Sequence, residues 1–330
     1  MASLTVRQYT QLGDLPARAW DALTARPPAS LIGSRIWVCA AFEAVHPQAQ
    51  PFLLAIEDDG RLVALLPLAL HSCNGRGALR FAGSPHNDLT DLMVLPGYER
   101  EAAELALTTL GAIARSGTTV QLEELDPEGA LSSLGARIRS FTWSDAEAAP
   151  RIDLTGDWRM AASQRRRRRW AQELNRLRRD HRVEFRRVEG ETMLEEFPGF
   201  IRLREARLRA TGRSLDLVRW EFRKAVISGL AARRGCAFAE MSIDGQVVAC
   251  DLYLTQRPVA MLWLRGLDPA WHRYSCGHLL LHATAEALAG DGYDLLDLGR
   301  GAEPYKFMFG GDRRVLRMAC SNGAIASEPG

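Results

Sequence analysis

The stretch Ala260–Gly311, AMLWLRGLDPAWHRYSCGHLLLHATAEALAGDGYDLLDLGRGAEPYKFMFGG, leaves few folds open to the chain. Its apolar run Val259–Leu264 has the length of a strand. A polar loop with Asp268, Pro269, His272 and Arg273 leads to Gly277, and an apolar helical segment then runs to the Gly290-Asp291-Gly292 breaker. A second strand is predicted over Tyr293–Leu298, ending in Gly299, followed by a polar segment with Glu303, Tyr305 and Lys306. Strand, loop, helix, strand is a βαβ crossover, which is right-handed and sets the loop at the carboxyl edge of a sheet, where ligands collect. A helix entered through Arg273, Ser275 and Gly277 offers free N–H groups, a positive dipole end and a guanidinium, a cradle for phosphate. The competing reading is a serine that caps a surface helix.

Antiparallel strands precede the crossover: Cys236–Ile243 and Val247–Leu254 about the Asp244-Gly245 turn, then Val259–Leu267. Asp251 falls among apolar residues, where a carboxylate is costly unless paired or used, and shares its strand face with Tyr253. Two helices, Glu191–Ala210 and Leu215–Arg233, come earlier, split by Thr211-Gly212. His278 and His282 lie four apart but lack the acidic partner of a zinc-binding helix, so no metal is expected. Neither a G-x-S-x-G elbow nor a Walker lysine occurs.

The first half reads as mixed α/β. Leu4–Thr10 alternates as a strand, Pro16–Ala25 and Arg35–Val45 are helical, and the Pro27-Pro28 breaker separates them. Pro51–Ile56 and Arg61–Leu70 flank the hairpin signal Asp58-Asp59-Gly60. Leu79–Phe81, Leu89–Leu95 and Thr118–Leu125 are predicted strands, with a helix over Tyr98–Arg115, a further helix over Gly129–Arg139 and a short edge at Phe141–Trp143. In the knot Ser84-Pro85-His86-Asn87-Asp88-Leu89-Thr90-Asp91, the carboxylates Asp88 and Asp91 could receive an amine, or the turn could satisfy its own backbone.

Charge divides the chain more sharply than composition does. Met1–Trp158 holds 12 basic and 19 acidic residues, and Arg159–Gly330 holds 30 and 21. The tract Gln164–Arg187 carries 11 arginines, with Trp170, Leu174 and Leu177 on one side of a helix. It reads as a solvated face, a surface for nucleic-acid phosphates, or a contact to lipid or coenzyme phosphate. Only Lys224 and Lys306 are lysines, so a single arginine says little here. The leading MASLTVRQYTQLGD lacks a basic-then-apolar leader pattern, no run approaches the ~18 residues of a membrane span, and the cysteines form no C-x-x-C, so a reduced cytoplasmic protein is expected.

Arg273-Tyr274-Ser275-Cys276-Gly277-His278 resembles the Q/R-x-x-G-x-G/A loop that grips acetyl-coenzyme A in GNAT acyltransferases, with one glycine in place of two. With the patterns Tyr-Asp-x-x-Asp-x-Gly from Tyr293 and Tyr-Lys-x-x-Phe-Gly from Tyr305, residues 160–320 resemble the cellulose-biosynthesis-type (BioF2-like) acetyltransferases and the related Fem-like aminoacyl-tRNA-dependent peptidyltransferases. The resemblance implies an α/β (α+β) fold of tandem GNAT-like domains, 1–158 on the acceptor side or structural and 159–330 carrying the acyltransferase, each a mixed, mostly antiparallel sheet flanked by helices. It implies acyl-CoA (acetyl-CoA) as donor, held by Leu264, Arg265, Arg273, Ser275, Cys276, Gly277 and His278, with strand N–H groups over Leu262–Arg265 turned toward the oxyanion. Tyr305 would be the acid, and Asp251, Asp88 or Glu303 the base. Asp88, Asp91, Tyr253, Trp263 and Lys306 would face a small-molecule amine. Two alternatives are an aminoacyl-tRNA donor bound along Arg165–Arg187, and a binding protein that has lost catalysis.

Overall fold

The computed structural model describes residues 4–24, 31–73, 76–214, 216–309 and 314–322; the Pro27-Pro28 breaker, Gly310 and Gly311 lie outside them. The chain divides into two compact units, 1–147 with 315–330, and 148–314. Each is built on one mixed, mostly antiparallel sheet flanked by helices, as the sequence reading expects.

The first unit contains β1 (Leu4–Tyr9), α1 (Ala17–Thr24), α2 (Arg35–Ala44), β2 (Gln50–Asp58), β3 (Arg61–Cys73), β4 (Arg76–Phe81), β5 (Met93–Val94), α3 (Glu99–Arg115), β6 (Thr119–Leu125), α4 (Ala130–Leu134) and β7 (Phe141–Ala148). The β2–β3 hairpin turns through Asp59 and Gly60, both at positive φ (48° and 75°), the geometry that an Asp-Gly pair supplies without strain. Strand β5 covers only two residues of the predicted Leu89–Leu95 run. Before it, Thr90 bonds sideways to β6, its N–H reaching Glu124 O at 2.8 Å and its hydroxyl Glu123 O at 2.5 Å. The predicted Gly129–Arg139 helix is cut to the short α4 followed by a 3-10 turn, Gly135–Arg137.

The second unit runs through β8 (Arg151–Asp153), α5 (Gln164–Asp180), β9 (Val183–Glu189), α6 (Thr192–Ala210), α7 (Leu217–Ala231), β10 (Cys236–Ile243), β11 (Gln246–Gln256), β12 (Val259–Leu267), α8 (Cys276–Gly290) and β13 (Leu295–Asp297). Its sheet order is β8-β13-β12-β11-β10-β9. Helix α8 crosses from β12 to β13, which pair in parallel, and completes the expected crossover. The last strand, β14 (Val315–Ser321), has no counterpart in the sequence reading; it enters the first unit's sheet antiparallel to β6.

Two irregularities open the second sheet. Leu252 stands opposite Leu264 and Tyr253 opposite Leu262, so Trp263 is an extra residue in β12. Such a bulge re-aims the strand and is favoured beside active sites. On the other edge, β13 pairs with β12 over Val259–Met261 and ends at Asp297. Gly299, at φ 68°, passes so close that a Cβ would lie 2.9 Å from Leu262 O. Helix α6 crosses the far end of β12, where a Cβ on Gly266 would meet Leu203 Cβ at 2.9 Å. Between the end of α6, the carboxyl end of β12 and the start of α8 a space remains.

Candidate active site

Asp268 sets the approach to α8. Its carboxylate accepts the Ala270 N–H at 2.9 Å and caps a 3-10 turn, Pro269–Tyr274, with proline in the first turn, where its missing N–H costs nothing. Ser275 then takes a left-handed conformation (φ 53°, ψ 34°) and swings the chain into the helix. Its carbonyl accepts the N–H groups of His278 at 2.8 Å and Leu279 at 3.2 Å, while its hydroxyl caps nothing. The plain serine-cap reading therefore fails. Cys276 and Gly277 precede the first intrahelical bond, and among the described residues no carbonyl takes their N–H groups. That leaves two donors and the positive end of a fifteen-residue helix.

Beside this helix start lies a cleft of about 360 Å³. Arg207 and Thr211 line it from the end of α6, Arg265 and Leu267 from β12, Trp271 and His272 from the turn, then Ser275–His278 and Tyr305. Of the expected donor and catalytic residues, the fold thus brings Tyr305, Arg265, Ser275, Cys276, Gly277 and His278 to one place. Arg207 and Thr211 were not anticipated, because an arginine within a helix carries no signal among so many.

Burial and charge give the lining groups distinct protonation states. Burial raises the Tyr305 phenol above its ordinary value, against the lowering effect of Arg265, so it keeps its proton at neutral pH. Burial, then Arg265, lowers His278, which is neutral there. The two rings are 6.2 Å apart between centroids. Burial pushes the Cys276 thiol up to about 11, and it points to Trp271 O at 3.6 Å, so it offers no thiolate.

Several expected roles are corrected by what these side chains touch. Asp251 was the first candidate for the base. It is fully buried, and both oxygens accept from Arg265, Oδ1 from Nε at 2.7 Å and Oδ2 from Nη2 at 2.6 Å. A carboxylate so engaged stabilises a guanidinium and is a poor proton acceptor. Glu303 forms an ion pair with Lys306 at 3.0 Å; burial works against its charge, but Lys306 outweighs that and holds it below the usual carboxylate range. Lys306, expected to hold a ligand, is buried and uses all three of its donors on Gly299 O (3.1 Å), Arg300 O (2.6 Å) and Glu303. It fastens the segment that carries Tyr305. Arg273 is exposed, with its guanidinium 4.7 Å from the centre of the Tyr274 ring and outside the cleft lining. Leu264 and Trp263 are buried, the latter under Arg223, and Tyr253 is buried with its hydroxyl 3.3 Å from Asp251 Oδ2.

Asp88 and Asp91 belong to the first unit, and the knot around them is answered from within. Asn87 accepts the Trp37 indole N–H at 2.8 Å and donates to Ala82 O at 3.1 Å, and His46 Nε2 accepts the Gly83 N–H at 3.0 Å. Asp91 receives the N–H groups of Ala130 (2.6 Å) and Leu131 (3.1 Å), capping α4 from a distant part of the chain. This is the work of a tertiary cap, and it consumes the carboxylate that was expected to meet an amine. Asp88 is half-buried in the same turn.

Helix α5 lays Trp170 on Phe309 (4.6 Å, nearly parallel) and buries Leu177. Arg182, Arg186 and Arg187 pair with acids, so the free basic surface is narrower than the tract Arg165–Arg187. Among the described residues, no group of three or more His, Cys, Asp and Glu is arranged to hold a metal, and no helix is long and apolar enough to cross a membrane.

Residues 164–307, from α5 through Tyr305, match the family model of the acetyltransferase (GNAT) domain. The second unit thus carries a GNAT-type acetyltransferase domain, and the cleft at the head of α8 falls within it. Among solved structures the chain is similar to FemX (9% identity, covering 95% of this chain and 96% of that one, TM-score 0.69). It is also similar to the C-terminal domain of a putative lysylphosphatidylglycerol synthetase from Agrobacterium fabrum (13%, 93% and 91%, TM-score 0.60). It is similar as well to a tandem GNAT protein from the clavulanic acid biosynthesis pathway (16%, 98% and 100%, TM-score 0.53). At such identities the likeness is one of fold. No protein of curated function matches the sequence.

Proposed function

We propose that the protein is an N-acyltransferase that moves an acyl group from acyl-CoA to the amine of a small molecule, by direct attack in the cleft at the head of α8. The observation that carries this reading is the convergence on one cleft of helix N–H groups that no carbonyl takes, a protonated tyrosine and a neutral histidine. The first-turn N–H groups of Cys276 and Gly277, with Arg207 nearby, would receive the donor's phosphates. Neutral His278 would take the proton from the attacking ammonium. The amine nitrogen would then bond to the thioester carbonyl, the C–S bond would break, Tyr305 would protonate the departing thiolate, and the second proton shed by the nitrogen as the amide forms would return to the Tyr305 phenolate. Two groups whose surroundings push their acidities apart make a natural base and acid. The protonated Cys276 fits a route without an acyl-enzyme. The first unit would then serve as scaffold, and the reduced thiols would suit the cytoplasm.

Calorimetric titration with acetyl-CoA and longer acyl-CoA species tests the donor. Micromolar binding that Tyr305→Phe leaves intact while turnover collapses is the expected pattern.

A second reading rests on α5. Arg165, Arg168, Arg176 and Arg179 are exposed, recur at helical spacing opposite Trp170 and Leu177, and among the described residues none is paired with a carboxylate. They form a line of roughly 21 Å, suited to a phosphate backbone. On this reading the donor is aminoacyl-tRNA and the chain stands with the Fem-like rather than the cellulose-biosynthesis-type branch. Acyl transfer that ribonuclease abolishes and acyl-CoA does not restore would select it. Failure to bind either donor would leave a binding role without catalysis.

A further inference from the structure

Inside the second unit a buried ion pair stands directly behind the proposed proton donor. Asp251 on β11 and Arg265 on β12 are cross-strand partners, 0% and 5% exposed, joined by two parallel N–H···O bonds. The Tyr253 hydroxyl, 3.3 Å from Asp251 Oδ2, adds a donor on the same strand face. Arg265 is held from its backbone as well, since its carbonyl accepts from Arg204 Nη1 at 3.1 Å. Two of its side-chain nitrogens are committed to Asp251. The third, Nη1, lies at the head of α8, only 3.4 Å from where a Cβ on Gly277 would be. The guanidinium carbon is 4.7 Å from the centre of the Tyr305 ring. Among the described residues no group hydrogen-bonds the Tyr305 hydroxyl, so the ring's placement depends on what its face touches.

A buried pair of this kind is weak as a stabiliser, because desolvation offsets most of the attraction. Its value lies in fixing a direction. A guanidinium clamped by a carboxylate presents its plane at one angle, and an aromatic ring seated on it is held by its quadrupole. We infer that Asp251 and Arg265 are positioning residues for Tyr305: the carboxylate fixes the guanidinium, and the guanidinium holds and polarises the phenol at the cleft. This rests on the reading of Tyr305 as the proton donor.

The charges around the phenol give the pair a signature that a packing role lacks. Arg265 favours the phenolate, Asp251 behind it disfavours it, Glu303 on the phenol's own segment also disfavours it, and Arg207 from α6 favours it; His278 faces it from α8. Removing either member of the pair should loosen the ring, yet the two removals should shift its titration in opposite directions.

The test is an absorbance titration of the tyrosinate band, with Tyr305 isolated as the difference between the protein and its Tyr305→Phe variant, so that no substrate is needed. Asp251→Asn should lower the midpoint by about 1 pH unit and Arg265→Met should raise it by more than that. The double variant, an uncharged pair that keeps the fold if either single variant fails to, should lie above the parent protein and below Arg265→Met. Thermal unfolding at neutral pH reports the fold in each case. Midpoints that stay put, or that move the same way in both single variants, would overturn the inference and leave a structural ion pair. Should acetyl-CoA fail to bind while the midpoints separate as expected, the pair is upheld and the choice of donor falls.

Discussion

Two regions of this chain look alike in the sequence and differ in the structure. The knot Ser84–Asp91 in the first unit and the segment Arg273–His278 in the second are both polar stretches with candidate ligand-binding groups. In the knot, protein answers protein: Trp37 meets Asn87, Gly83 meets His46, and Asp91 meets the backbone of α4. At the head of α8, among the described residues, no carbonyl takes the N–H groups of Cys276 and Gly277, and a cleft lies before them. A polar group closed by its neighbours maintains a fold, whereas one held rigidly and left open can meet a ligand.

The contrast breaks or sharpens under four perturbations. Tyr305→Phe should have the largest effect, lowering kcat by about 10²–10³ with donor affinity little changed and the melting temperature intact. A loss confined to KM would move Tyr305 out of the proton path. Next comes acid. Burial lowers His46 from the ordinary 6.5 of a histidine to about 4, so between those values the unfolded chain binds a proton that the folded chain refuses. Stability is therefore complete above pH 6.5 and declines as pH falls toward 4, by on the order of 3 kcal/mol. Denaturant midpoints measured across that window should show the decline, and His46→Gln should flatten it. Asn87→Ala should cost about 2 kcal/mol in the same unit by leaving the Trp37 indole and Ala82 carbonyl unanswered. It should not alter acyl-CoA binding by calorimetry; altered binding would erase the distinction between knot and cleft. The smallest effect is expected from Arg207→Gln, with donor affinity falling about tenfold at low salt and less at high salt. Activity should also hold as pH drops past 6.5 and fail only below the lowered His278 value, since the proposed base must be unprotonated.

Much of the fold was legible because period and punctuation agree. The Asp58-Asp59-Gly60 and Asp244-Gly245 turns, the helix after Gly277 and the crossover to β13 each announce themselves locally. Strand β14 did not, since its partner β6 lies far back in the chain and pairing over that distance leaves no local mark. The candidate cleft was legible to the extent that Gly277 and Tyr305, both singled out in the sequence, line it together. It was illegible where the answer was a partner. The sequence marks Asp251 as a carboxylate in an apolar strand, but only cross-strand register reveals that Arg265 occupies both of its oxygens. Lys306 stood out as one of two lysines, and folding turns it onto two carbonyls and Glu303. Arg207 passed unnoticed because only the crossing of α6 over β12 brings it to the cleft.

The central claim is that the open donors at the head of α8 receive a phosphorylated acyl carrier. Calorimetry with acetyl-CoA on the intact chain, repeated with Gly277→Val, tests it most directly. Saturable one-to-one binding by the parent protein, lost in a variant that still melts cooperatively, is the predicted result. Equal heats from both proteins, or none from either, would contradict it.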